Sequence, residues 1–261
     1  MDLHLTGKTA VVTGASKGIG LEIVRALTAE GVRVVAAART VTPELAELDA
    51  TAVTVDLSTP AGALGLIDQA EAVLGDIDIL VNNVGGVVPG SADAAGFLEV
   101  TDAAWQQTYE INLFGTVRVT RRALPGLLRR RGVIVNISSI GARAAYHPVD
   151  YGTAKAALNN LTKALAEEFG GQGLRALTVS PGPTRTRNWS EPDGYAADVA
   201  AQAGLTLAEF LAQAPARMGI TTGRLTEPEE IAALVTFLVS SRSGNLTGAD
   251  YLADGGAIKT V

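Results

Sequence analysis

The stretch Lys8–Gly20, KTAVVTGASKGIG, decides the fold. Residues 8 to 12 (KTAVV) read as a short apolar strand, and a glycine-rich turn, Thr13-Gly14-Ala15-Ser16-Lys17-Gly18-Ile19-Gly20, follows at once. Apolar and helix-forming residues then continue from Leu21 to Ala29, and Gly31 ends the helix. Strand, glycine turn and helix in that order let backbone N–H groups approach a pyrophosphate at a helix N-terminus. The spacing here is G-x-x-x-G-x-G rather than the common G-x-G-x-x-G. On its own such a turn also reads as nothing more than a tight connection between a strand and a helix.

Outward from that turn, strands and helices alternate. A second strand, Arg33 to Ala38, ends in Arg39 and Thr40, with no acid before Glu44. In dinucleotide folds an acid at this point holds a ribose 2′-hydroxyl, and a base accommodates a 2′-phosphate. Arg39, with Lys17 inside the turn, therefore favours NADP over NAD, the alternative being two surface charges. A crossover with only Pro43 to Asp49 available for helix leads to a third strand, Thr51 to Val55, ending in Asp56-Leu57. Asp56 suits either an adenine amino group or the N-cap of the next helix, Ala61 to Leu74. A fourth strand, Asp78 to Val81, runs into Asn82-Asn83-Val84-Gly85-Gly86. A helical region from about Asp102 to Arg131 is expected to break or end near Pro125, and it carries Asn112 within an otherwise apolar face. The sixth strand, Arg175 to Val179, ends in Ser180-Pro181-Gly182-Pro183-Thr184-Arg185-Thr186. From 187 to about 222 the periodicity weakens, with one clear helix at Leu207 to Ala214, as in a lid over a site. Thr226-Glu227-Pro228-Glu229-Glu230 opens a last helix, and Thr247 to Gly256 supplies a final short strand and turn.

The chain of 261 residues suits one large α/β domain, and 47% hydrophobic against 18% charged residues describes a chain with a sizeable core. A net charge of −6 and a pI near 5.0 argue against nucleic acid as the main partner. Without cysteine there is no disulfide framework, thiolate metal site or cysteine nucleophile. The N-terminus lacks a basic region, and no apolar run approaches the ~20 residues of a membrane helix, so a soluble, cytoplasmic chain is expected.

The fifth strand, Val133 to Ile137, carries the chemistry. Two serines follow it, then a loop, then a helix bearing Tyr151 and Lys155. Residues four apart share a helix face, so the phenol and the ammonium can share a site. A free tyrosine has a pKa near ~10, and a nearby cation favours its phenolate, which makes it a usable acid and base. Ser138 is positioned to hold a substrate oxygen beside that phenol, and Ser139 competes for the role.

Taken together, TGASKGIG at 13–20, NNVG at 82–85, Asn112, Ser138, YGTAK at 151–155, PGPTRT at 181–186 and DGG at 254–256 resemble the classical short-chain dehydrogenase/reductase family, across essentially the whole chain. The resemblance implies a single Rossmann-type domain, a doubly wound parallel sheet of about seven strands, assembled as a homotetramer. It implies an oxidoreductase moving hydride between NADP(H) and a carbonyl or secondary alcohol, with NAD(H) the alternative cofactor and no metal. Tyr151 would be the general acid or base, Lys155 would lower its pKa and bind the nicotinamide ribose, Ser138 would orient the carbonyl, and Asn112 would hold a relay water. Ser138 is preferred to Ser139 because it stands 13 residues before Tyr151, the family spacing. Gly14, Ser16, Lys17, Gly18, Ile19 and Gly20 would surround pyrophosphate and adenosine. Arg39 and Thr40 would meet the 2′-phosphate, Asp56 and Leu57 the adenine, and Asn83 and Gly85 the ribose. Pro181, Gly182, Thr184 and Thr186 would contact the nicotinamide. Arg143, His147, Arg185 and Arg187 lie near the presumed substrate mouth, either as solvated charges or as partners of an acidic substrate. Trp189, Tyr195, Phe210 and Met218 would either meet a moderately bulky apolar ketone or pack the lid. A dinucleotide-binding sensor without turnover is the reading from another class, and the presence of Asn112, Ser138, Tyr151 and Lys155 weighs against it.

Overall fold

The structure is a computed structural model describing residues 1–260. Seven parallel strands form one sheet in the order β3-β2-β1-β4-β5-β6-β7. They are β1 (Thr9–Thr13), β2 (Arg33–Ala38), β3 (Ala50–Thr54), β4 (Ile79–Asn82), β5 (Val133–Ile137), β6 (Arg175–Pro181) and β7 (Asp250–Ala253). The central strands are buried along their whole length because helices cover both faces, which is why they read as unbroken apolar runs. On one face α1 (Gly18–Ala29) and α11 (Pro228–Val239) pack over Val12, Val34, Val81 and Val135. On the other, α3 (Pro60–Leu74), α6 (Gly115–Arg130) and α7 (Val149–Phe169) close over Val11, Val35, Leu80 and Ile134. The short helices are α2 (Pro43–Ala46), α4 (Pro89–Ala92), α5 (Asp102–Tyr109), α8 (Arg187–Ser190), α9 (Tyr195–Gln202) and α10 (Leu207–Arg217).

A polar row interrupts the apolar sheet. Asn82 stands opposite Asn136, Asn136 opposite Thr178, and Thr178 opposite Asp250, one residue on each of β4 to β7. The amide of Asn82 donates to Asn136 at 2.8 Å and to Thr120 of α6 at 3.1 Å. Asn136 donates to Thr162 of α7 at 2.8 Å, and Thr178 to the same hydroxyl at 2.9 Å. Buried amides and hydroxyls are tolerable here because they partner one another across strands and helices.

Two expectations change. The long helix does not break at Pro125, which lies inside α6. Its irregularity falls earlier, in a π-helical stretch, Glu110–Phe114, where the extra residue per turn turns Asn112 inward. The segment from 187 onward holds α8 and α9 as well as α10. Its alanine-rich composition favours helix but leaves little contrast between faces for a periodicity to register. Within the expected start of the last helix, Glu227 is the cap, its N–H donating to Glu230 at 2.9 Å.

Strand order reverses between β1 and β4, and the crevice outside their C-terminal ends is the ligand-binding edge of such sheets. Thr13, Asn82, Ile137 and Pro181 end neighbouring strands there.

Candidate active site

At that edge the glycine turn is built for close approach. Gly14 has φ +66° and Gly18 φ +55°, values that a side chain would strain. A Cβ on Gly20 would lie 2.2 Å from the Gly14 carbonyl, and one on Gly18 would lie 3.0 Å from Thr186. The turn is therefore bare backbone at the start of a 12-residue helix, with Lys17 exposed at its N-cap and Ile19 half-buried behind it. Asn83 braces it: the side-chain amide donates to the carbonyls of Thr13 at 3.0 Å and Gly14 at 3.1 Å. That amide holds the turn itself, where the resemblance implied a contact with ribose. Ser16 accepts from Thr42 at 2.9 Å through its carbonyl, which ties α2 to the turn.

Arg39 and Thr40 are exposed at the end of β2. Asp56 accepts from the N–H and hydroxyl of Ser58 at 3.0 and 2.8 Å. Those bonds hold its carboxyl below the usual range, and nearby Arg39 adds to the effect. Asp56 does not cap α3, because Thr59 accepts from Gly62 at 3.1 Å and takes that position. Leu57 is buried, and its carbonyl faces Gly115 so closely that a Cβ there would lie 2.7 Å away.

The titrating pair meets at the foot of α7. Lys155 is 2% exposed and donates to the Ile137 carbonyl at 3.0 Å, with its ammonium 5.8 Å from the centre of the Tyr151 ring. Burial lowers its pKa to about 8. Burial also pushes the Tyr151 phenol up, while a hydrogen bond with Ser139 pulls it down. The net direction is upward, against the lowering expected from the lysine. Asn112 is fully buried, donating to the carbonyls of Gly86 and Thr108 at 2.9 Å and accepting from the Gly86 N–H at 2.9 Å. A Cβ on Gly85 would lie 2.7 Å from both the Asn112 oxygen and the Lys155 ammonium, so only glycine leaves that corner open.

The structure gives the two serines different partners. Asn136 on β5 faces α7, and strand alternation gives Ser138 the same face. Its hydroxyl is accordingly buried and donates to the Lys155 carbonyl at 3.3 Å. Ser139, one residue past that face, caps a short turn by accepting from the Gly141 N–H at 3.1 Å and hydrogen-bonds the phenol. The spacing of 13 counted back from Tyr151 crosses a loop whose length is free to vary.

The β6 end completes the cleft. Pro181 is buried, and a Cβ on Gly182 would lie 2.8 Å from the Asp254 backbone. Thr184 is buried, donates to the Gly182 carbonyl at 3.0 Å and bridges to Thr226, while Thr186 lies over the glycine turn. The residues assigned to the substrate mouth are mostly engaged elsewhere. Arg143 pairs with Asp250 at 2.8 Å, and Arg185 with Glu227 at 2.9 Å. His147 contacts the Ala94 carbonyl at 2.8 Å. Exposed Arg187 lies near Glu44 and helps hold its carboxyl down. Trp189 packs 6.1 Å from Tyr195 and 6.3 Å from Phe210, and Met218 joins Ile140 and Ile220. These side chains form a small core of their own. No group of His, Cys, Asp and Glu suited to a metal occurs among the described residues. No helix is long and apolar enough to cross a membrane, among the described residues.

The family profile described as enoyl-(acyl carrier protein) reductase matches residues 14–257. L-xylulose reductase of Bos taurus is 36% identical over 277 residues, covering 100% of both chains. The 3beta-hydroxysteroid dehydrogenase 1 of Eggerthella lenta is 34% identical, covering 97% of this chain and 94% of that one. Among solved structures, L-sorbose reductase from Gluconobacter frateurii, complexed with NADPH and L-sorbose, superposes with a TM-score of 0.89 at 32% identity over all of both chains. A seven-stranded parallel sheet, a phenol and lysine at its C-terminal edge, and likeness along the whole length agree, and the chain belongs to the classical short-chain dehydrogenase/reductase family.

Proposed function

We propose that this protein is an NADP(H)-dependent carbonyl reductase, running in reverse as an alcohol dehydrogenase on CH–OH groups. The observation that carries this is the meeting of Tyr151, Lys155, Asn112 and Ser139 within reach of a bare glycine turn. The cradle at Gly14, Gly18 and Gly20, which any Cβ would fill, fits a dinucleotide pyrophosphate. When bound, the nicotinamide supplies the hydride. The chain's residues do the rest. Tyr151 gives a proton to the carbonyl oxygen in reduction and takes it back in oxidation. Ser139 donates to the same oxygen and fixes it beside the phenol. Ser138, read from spacing as that donor, instead ties β5 to α7. Lys155 favours the phenolate whenever it carries its charge, and Asn112 holds the backbone of Gly86 in place behind it. The segment from 187 to 222 serves as the lid. The activities named for L-xylulose reductase, L-sorbose reductase and the 3beta-hydroxysteroid dehydrogenase support ketoses and ketosteroids as the carbonyl panel to test.

NADP(H) is preferred because Arg39 and Lys17 are exposed where a 2′-phosphate would lie. NAD(H) is the second reading, and it rests on Asp56, which draws on Arg39. Fluorescence titration of wild type and Arg39→Ala with NADPH and NADH decides between them. Tighter NADPH binding that falls to parity in the variant is expected. A preference for NADH unchanged by the substitution would overturn the cofactor assignment and make alcohol oxidation the direction to pursue. The homotetramer implied by the family is part of the same reading. Exposed Phe97 and Phe114, joined through half-buried Trp105 and Tyr109, support it, since such a face is costly to leave in water.

A further inference from the structure

Directly before the catalytic tyrosine stands a carboxylate that the proposed chemistry leaves unused. Asp150 is completely buried in the first turn of α7. One of its oxygens accepts from the hydroxyl of Ser91 on α4 and from that of Thr108 on α5, both at 2.5 Å. Its other oxygen is buried without a hydrogen-bond partner. Ser91 and Thr108 are themselves fully buried. The positive end of the 21-residue helix α7 favours a carboxylate at this position. Yet a half-satisfied buried acid costs stability that an apolar residue would not, so packing alone does not account for it.

Two further ties run from the catalytic elements to the same loop. Asn112 bonds Gly86 through both its backbone N–H and its carbonyl. His147, just before α7, reaches the Ala94 carbonyl at 2.8 Å. The three ties fall at residues 86, 91 and 94, so this loop is held at both ends and at its middle. It begins beside Gly85, which faces Lys155, and therefore forms a wall of the cleft that holds the phenol. Thr108 links two of the ties, because its carbonyl accepts from Asn112 and its hydroxyl donates to Asp150.

We propose that Asp150 is a positioning residue that, through Ser91 and Thr108, pins residues 86–94 to the catalytic helix and so sets where a carbonyl substrate rests against Tyr151. The substrate half of this inference rests on the reductase reading; the pinning does not. The test uses the full chain carrying Ser91→Ala, Thr108→Val or Thr108→Ser. Valine matches threonine in shape and removes only the hydroxyl, while serine keeps the hydroxyl and removes a methyl. Two readouts are taken: amide hydrogen exchange across residues 86–95, and steady-state kinetics on whichever carbonyl of the panel wild type reduces fastest. In S91A and T108V, exchange is expected to rise across the segment, and KM to rise about fivefold, the weight of one lost hydrogen bond, with kcat and NADPH affinity held within about twofold. T108S is expected to restore both. Unchanged exchange would overturn the pinning. Faster exchange with unchanged KM, or equal losses in KM, kcat and cofactor affinity, would overturn the positioning role. A wild type inactive on every carbonyl would sink the reductase reading and the substrate half of this inference, and exchange alone would then decide the pinning.

Discussion

At the scale of single residues, the structure separates two adjacent hydroxyls that the sequence presents as equivalent. Ser138 hydrogen-bonds α7 backbone and Ser139 hydrogen-bonds the phenol. Ser139→Ala should therefore lower kcat/KM by about a hundredfold, the loss expected when one donor to a reacting oxygen is removed. Ser138→Ala should cost less than about fivefold, as it loosens one strand-to-helix bond. Steady-state reduction by both variants is the check, and the reverse ranking would restore the spacing argument. That Tyr151 and Lys155 share one corner was legible in the sequence, because residues four apart return to one helix face. Which serine stands beside them was not, because the spacing back from Tyr151 runs through a loop, and loops change length without changing the elements they join.

Among elements, the parallel strands were legible from apolar runs within about two residues at each end, and the covering helices from their caps and apolar faces. The π-helical stretch at Glu110–Phe114 was not, since it differs from α-helix by a single inserted residue and leaves the composition unchanged. The segment from 187 to 222 was legible as weak periodicity but not as three helices. Its ends are joined by the Thr184–Thr226 bridge, by the Arg185 N–H donating to the Thr226 carbonyl at 2.8 Å and by the Arg185–Glu227 pair. Arg185 is thereby engaged at the foot of this segment, and we propose that it anchors the segment rather than binding substrate. That pair is nearly half exposed, so solvent screens it and its contribution is small. Arg185→Ala should shift the unfolding midpoint slightly and should change KM equally for neutral and acidic carbonyls. A rise confined to acidic substrates, measured on a matched pair, would return Arg185 to the binding site.

For the molecule as a whole, the buried Lys155 couples stability to pH. Its folded pKa lies near 8, below the ordinary 10.5, so between those values the unfolded chain binds the proton that the folded chain has released. Stability therefore rises with pH across that window, and below it the fold carries the cost of a buried charge. Lys155→Met should remove this rise. At neutral pH the variant should be at least as stable as wild type while turnover falls by roughly 10²- to 10⁴-fold. Unfolding curves of both proteins at neutral pH and inside the window test this, and parallel pH profiles would refute it. The polar row from Asn82 to Asp250 has a consequence for assembly of the chain itself. Strands made almost wholly of Val, Ile, Leu and Ala look alike to one another at many offsets, so hydrophobicity alone scores a slipped pairing nearly as well as the native one. A slip by one residue turns each amide or hydroxyl of the row onto the opposite face, away from Thr120 and Thr162, and strands it in hydrocarbon. The row thus works as a proofreading mark, one rung whose partners on the covering helices only the native alignment can reach.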